Sequence, residues 1–142
     1  MFKKIVLSSD HGGFNLKEKV KDFLIKQNFQ VEDVGCNSLD AVDYPDYARI
    51  LSDKLKNNKD TTGILFCGTG IGISMAANRF KHIRAALCTS VEMASKSRKH
   101  NDANVLALGG RILSEKIALE IVEEFLKTDF EAGRHSLRVN KI

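Results

Sequence analysis

The run Gly63-Ile64-Leu65-Phe66-Cys67-Gly68-Thr69-Gly70-Ile71-Gly72-Ile73-Ser74 restricts the folds open to this chain more than any other segment. It opens as a short apolar stretch, which suits a buried parallel strand. Glycines at 68, 70 and 72 then break the run, and Ile73, Ala76, Ala77 and Phe80 resume at helical spacing. Strand, tight turn and helix N-terminus therefore follow in order. Such a turn directs several backbone N–H groups, with the positive end of the helix dipole, into one small volume, which is a place for an anion. Cys67 stands at the strand's end facing that volume, and a thiol beside a helix N-terminus has its thiolate favoured. Two nucleotide-binding patterns fail. A dinucleotide fingerprint needs G-x-G-x-x-G after the first strand, whereas here the third glycine comes too early and the strand is a middle one. A P-loop needs a G-K-[ST] ending, which is absent. The plainer alternative is that the glycines only tighten a βα turn and Cys67 is a small core residue.

Along the chain, residues 4–9 read as a first strand ended by Asp10-His11-Gly12-Gly13. The next helix has Asn15 as its cap, Glu18 in capping-box position, and Leu16, Val20, Phe23 and Leu24 as its buried stripe. Residues 29–32 form a second strand, and 33–46 an irregular segment holding the only proline, Pro45. Tyr47 to Leu55 reads as a helix, apolar at 47, 50, 51 and 55. Beyond the glycine turn and its helix, 84–88 is a fourth strand, and Ser90 caps a helix running to about Lys99. Residues 104–108 are a fifth strand. Ser114 caps a long helix with Ile117, Ile121, Val122, Phe125 and Leu126 on one face. The tail from Phe130 is polar and basic, with room for a short last helix. No repeat, low-complexity run or linker divides the chain, so residues 1–142 read as a single domain with a C-terminal basic tail. Strands alternating with helices in this rhythm predict an open five-stranded parallel sheet, helices on both faces, wound right-handed. Ligands in such sheets bind outside the carboxyl ends of the strands. Asp10-His11, Cys67 to Gly72 and Gly109-Gly110-Arg111 all fall there.

No apolar stretch approaches the ~18 residues a membrane helix needs. The apolar run after Lys3-Lys4 is too short for a signal peptide and meets Asp10, so a cytoplasmic location is expected. Cys36, Cys67 and Cys88 are odd in number and lack C-x-x-C spacing, which suggests neither a disulfide framework nor a zinc site. The net charge of +4 is mild, and the basic residues gather at Lys96 to His100 and at Arg134, His135, Arg138 and Lys141. No aromatics interleave with them for base stacking, which argues against nucleic acid. A few arginines suffice to clamp one phosphate, so a small phosphorylated ligand fits better.

Five stretches, spread in order along nearly the whole chain, resemble ribose-5-phosphate isomerase B and its sugar-phosphate isomerase family. They are Ser9 to Phe14, Asp43-Tyr44-Pro45, Cys67 to Gly72, His100 to Leu106 and Gly133-Arg134-His135. The same group includes the galactose-6-phosphate isomerase subunits and allose-phosphate isomerase. The resemblance implies a Rossmann-like three-layer α/β/α sandwich, a homodimer or dimer of dimers, and no metal or other cofactor. It implies Cys67 as the base that removes the C2 proton of the sugar. Thr69 and the amides of Gly68, Gly70, Ile71, Gly72 and Ser74 would hold the enediolate. His100 would help open the furanose ring, and Asp10 would contact sugar hydroxyls. His11, Arg111, Arg134 and Arg138 would grip the phosphate, with Asn101 beside the sugar. The chemistry agrees: aldose–ketose isomerisation needs a base, an oxyanion stabiliser and a ring-opening acid or base. Read without the resemblance, His100 could cap a helix C-terminus, Asp10 could be a turn residue, and the tail arginines could be solvated charges. Tyr44 is assigned to packing, Cys36 and Cys88 to structure.

The leading expectation is interconversion of ribose 5-phosphate and ribulose 5-phosphate in the pentose phosphate pathway. Its rivals are a six-carbon sugar-phosphate isomerase, acting on galactose 6-phosphate or allose 6-phosphate, and a sugar-phosphate-binding module without turnover. Topology adds one expectation. The helix leaving the carboxyl edge at Ser90 rises ~15 Å over ten residues, so His100 should lie at the far edge of its own sheet. A two-fold dimer with active sites shared between subunits would reunite it with a Cys67.

Overall fold

The computed structural model spans residues 1–142. Five strands, β1 (Lys4–Ser9), β2 (Gln30–Asp33), β3 (Thr61–Cys67), β4 (Ala85–Leu87) and β5 (Val105–Gly109), form one parallel sheet in the order β2-β1-β3-β5-β4. Six helices intervene or follow: α1 (Phe14–Lys26), α2 (Tyr44–Leu55), α3 (Ile71–Ala77), α4 (Val91–Asn101), α5 (Glu115–Lys127) and α6 (Arg134–Val139). Alternate strand residues point to opposite faces, and two cores result. Ile5, Leu7, Ile64, Phe66, Leu106 and Leu108 pack under α1, α4 and α5. Val6, Leu65, Cys67, Val105 and Ala107 pack under α2 and α3. The three layers and the five-stranded parallel sheet agree with the sequence-based expectation.

Local chemistry explains where element boundaries depart from it. Asn15 does not cap α1. The helix starts at Phe14 with Gly13 as its N-cap and no side-chain cap, because Asp10 Oδ1 accepts the Gly13 N–H at 3.1 Å and turns the chain early. Gly13 lies so close to β3 that a Cβ there would stand 2.4 Å from the Phe66 carbonyl carbon. Glu18, freed from capping, bonds Lys17 and Lys21 instead. α2 begins at Tyr44 rather than Tyr47, with Pro45 in its first turn, where a missing N–H costs no helical bond. Ile50 is correspondingly exposed, and Ala48, Leu51, Ser52 and Leu55 form the buried stripe. The caps at Ser90 and Ser114 stand as expected, accepting from Met93 N and Ile117 N. β2 and β5 lie one residue later than read from the sequence, and β4 is shorter at both ends.

After β1 the chain moves to β2 on one side, and after β3 it moves to β4 on the other. Adjacent strands whose connections diverge leave a crevice at their carboxyl ends. The loops after β1 and β3 line that crevice.

Candidate active site

Cys67 ends β3 and is buried, its Sγ accepting the Gly70 N–H at 3.1 Å. Gly70 has φ +79°, and a Cβ there would meet Leu87 Cδ1 at 2.6 Å and the Leu108 carbonyl carbon at 2.9 Å. Only glycine turns the chain back over the thiol in this space. Thr69, exposed, accepts the Ile71 N–H through Oγ1 at 3.2 Å. The amides of Gly68, Thr69, Gly72 and Ile73 donate to no protein acceptor. Unpaired amides clustered around a thiol are suited to a developing oxyanion. Ser74 binds back into α3, its hydroxyl donating to Ile71 O at 2.7 Å and its amide to Gly70 O.

The loop after β1 closes one wall. Asp10 N–H donates to Phe66 O at 3.2 Å, which sets the nearly buried Asp10 carboxylate beside the Cys67 turn. His11 Nδ1 accepts the Val42 N–H at 3.1 Å, which leaves Nε2 to carry the proton of the neutral ring. The loop after β5 closes the other wall: Gly110 N–H donates to Cys67 O at 2.8 Å and Arg111 N–H to Gly68 O at 2.9 Å. The Arg111 guanidinium consequently lies over the turn, 3.3 Å from where a Gly68 Cβ would stand. Arg49, Arg84 and Arg98 are the arginines held in ion pairs, so Arg111 is an uncommitted cation there. Tyr44, assigned to packing by sequence, packs its ring on Gly72 and so borders the site. Cys36 and Cys88 are buried as expected, and burial pushes the Cys88 thiol up to about 11.

His100, Asn101, Arg134 and Arg138 do not join this constellation within the chain. His100 and Asn101 end α4, just ahead of β5, whose first residue Val105 pairs with Gly63 while its last, Gly109, pairs with Cys67. Four strand steps, ~13 Å, separate those pairs. The tail is tied to the same edge by the Glu131 N–H, which donates to Lys99 O at 3.1 Å. There His100 stacks on His135, ring centroids 4.2 Å apart and planes 13° apart. His135 is 6% exposed, and its Nε2 has no hydrogen-bond partner. The nearest carboxylate oxygen, Glu131 Oε2, is 3.7 Å away. Burial, then the positive field of His100, Arg134 and Arg138, lowers the His135 pKa against the opposing pull of Glu131. Sequence reasoning missed Glu131 and treated His135 as part of a basic cluster. Their i, i+4 spacing was visible, but not the neighbouring end of α4.

The Ribose/Galactose Isomerase family model matches residues 5–142, and the chain belongs to that family. It is therefore an isomerase. The chain is 43% identical to ribose-5-phosphate isomerase B of Escherichia coli, covering 99% of this chain and 94% of that one. The crystal structure of a ribose 5-phosphate isomerase from Thermotoga maritima matches with a TM-score of 0.96 at 48% identity, over 99% of this chain and 97% of the other. The ribose-5-phosphate isomerase B of Mycoplasma genitalium, solved with bound ribulose-5-phosphate, matches with a TM-score of 0.94 at 44% identity, over 97% and 92%. No helix is long and apolar enough to cross a membrane.

Proposed function

We propose that this protein interconverts ribose 5-phosphate and ribulose 5-phosphate through an enediolate, with Cys67 as the base. The observation that carries the reading is the Cys67 thiol, held by Gly70 N–H beneath a turn in which the amides of Gly68, Thr69, Gly72 and Ile73 are unpaired. In the forward direction the thiolate takes the C2 proton. The C2–H electron pair forms the C1–C2 double bond, and the carbonyl pair moves onto O1. The proton on O2 then passes to O1, the O2 pair forms the C2 carbonyl, and the C1–C2 pair takes the proton back from the Cys67 thiol at C1, which regenerates the thiolate. Thr69 and the amides of the turn stabilise the charge on oxygen at the moment it develops, and losing one such donor typically costs ~10²–10³ in rate. Asp10 binds sugar hydroxyls, and His11 and Arg111 meet the phosphate.

His100, Asn101, Arg134 and Arg138 complete the site from a second copy of the chain: His100 opens the furanose ring, Asn101 contacts the sugar, and the arginines hold the phosphate. Two features support a shared site. The residues that one chain separates by the depth of its sheet include every remaining group the chemistry needs. In addition, the edge strand β4 pairs only with β5, and exposed Ile71, Met75, Val91 and Met93 stand on the helices that adjoin it. That apolar edge fits an isologous contact between two copies. The interconversion belongs to the pentose phosphate pathway of the cytoplasm.

Incubation in D₂O tests the reading. Ribose 5-phosphate should gain deuterium at C2 and yield ketose faster than galactose 6-phosphate or allose 6-phosphate does. Faster turnover of a six-carbon phosphate would reassign the substrate, and no exchange into any of the three would leave only a binding module.

A further inference from the structure

We propose that His100, Glu131 and His135 form a binding site for a divalent transition-metal ion of the zinc type, and that an ion bound there reversibly withdraws His100 from the reaction. The second half of this proposal rests on the role given to His100 above; the first half does not.

One ligand atom from each residue, two imidazole nitrogens and a carboxylate oxygen, lies within 4.8 Å of the others. Two histidines and a glutamate with a fourth position open to water is a donor set that zinc takes in proteins, and imidazole also suits nickel and copper. A tetrahedral ion with bonds of ~2.0–2.2 Å needs donors about 3.4 Å apart. The present spread closes by side-chain rotation of exposed Glu131 and half-buried His100, while buried His135 stays in place. The backbone already holds the parts near one another, through Glu131 N–H on Lys99 O, and His100 leaves its near-parallel stack on His135 as it turns a ring nitrogen toward the ion.

The buried, unpartnered His135 Nε2 is the independent observation. A buried polar atom with no partner is costly and uncommon. Glu131 Oε2, at 3.7 Å, lies beyond hydrogen-bond reach but within the spacing of two ligands of one ion. The carbonyl end of α4 adds a favourable field for a cation. Arg134 and Arg138 oppose it, so the expected affinity is that of a reversible regulatory site, not of a permanent structural one.

A Co²⁺ titration of the metal-free protein, followed by visible absorption, reads the site directly. Wild type should bind one ion per chain with a tetrahedral spectrum, displaced by Zn²⁺. His135→Ala should weaken binding by more than the ~10–100-fold that loss of a ligand's hydrogen-bonded neighbour costs. Glu131→Gln, an exposed substitution that leaves the fold intact, should weaken it in the same direction. Cys67→Ser should bind as wild type does. In the isomerase assay Zn²⁺ should inhibit wild type, EDTA should restore turnover, and Glu131→Gln should need at least ~10-fold more Zn²⁺ for the same inhibition. Absence of stoichiometric binding, or affinity unchanged in both His135→Ala and Glu131→Gln, overturns the site. Binding lost in Cys67→Ser also overturns it, by moving the ion to the thiol. Binding that depends on His135 but leaves turnover untouched upholds the site and removes His100 from ring opening.

Discussion

The two edges of the sheet hold similar chemistry in opposite ways. At the carboxyl edge, Cys67, Asp10 and His11 are each fixed by a backbone N–H, from Gly70, Gly13 and Val42. At the amino edge, Arg134 and Arg138 are exposed and outside every ion pair, and His135 keeps a buried nitrogen without a partner. One edge is preorganised by main-chain geometry, which costs nothing to reorganise during a reaction. The other presents side chains whose partners must come from outside the chain. The proposed roles fit that difference, since an oxyanion site has to be rigid before substrate arrives, whereas a phosphate clamp gains from charges left uncommitted.

The sharpest way to break this contrast is at the rigid edge. Cys67→Ala should lower kcat by the ~10²–10⁴ expected of a general base while leaving phosphate affinity nearly unchanged. Iodoacetamide should inactivate the wild type, with substrate protecting it. Retention of more than about a tenth of the activity, against that ~10²–10⁴ range, would remove Cys67 as base.

At the uncommitted edge the effect should be smaller and should fall on binding. Arg138→Ala loses a charge-assisted contact of ~1.5–3 kcal/mol, which corresponds to a roughly 10- to 150-fold rise in KM for ribose 5-phosphate. Unphosphorylated ribose should react poorly and be indifferent to the change. Equal losses on both sugars would give Arg138 a structural role instead.

Joining the edges gives the third test. Cys67→Ala and His100→Ala chains, mixed so that subunits exchange, should recover about a quarter of wild-type activity, because half the dimers are mixed and each has one intact site. Mass spectrometry verifies the exchange. If exchanged mixtures stay inactive, each chain builds its site alone.

The smallest effect should lie behind the rigid edge, where buried Lys17 bonds Asp33 at 2.6 Å and Glu18 at 2.7 Å. Burial raises the Asp33 pKa, but Lys17, Lys21 and the Gly35 N–H outweigh it and hold the carboxyl below its ordinary range. A carboxylate with a folded pKa below its unfolded one stabilises the fold above the unfolded value, ~4, and loses that contribution as pH falls through the folded one. Asp33→Asn should therefore lower Tm near pH 7 and flatten its decline below about pH 4. An unchanged acid limb would exclude Asp33 as a source of that decline.

Much of the carboxyl edge was legible in the sequence because its signals are local. The glycines at 68, 70 and 72, the Asp10-His11 turn and Gly109-Gly110-Arg111 each follow an apolar strand, and strand ends in a parallel sheet converge by topology alone. The caps at Ser90 and Ser114 were legible for the same reason. The start of α1 was not, because a tertiary contact decided it: Gly13 had to pass against Phe66, and Asp10 took the bond that Asn15 offered.

The amino acids by themselves determined the parallel sheet, the anion-directed turn, the thiol beneath it and the separation of His100 from Cys67, since each depends on periodicity, turn chemistry or the rise of one helix. Only the tertiary structure decided that Arg111 would lie over Gly68, that Tyr44 would pack on Gly72, and that His100, Glu131 and His135 would meet. Those contacts join residues distant in sequence or set by the exact turn between α5 and α6. Their distances follow from how whole elements pack, which no local pattern encodes.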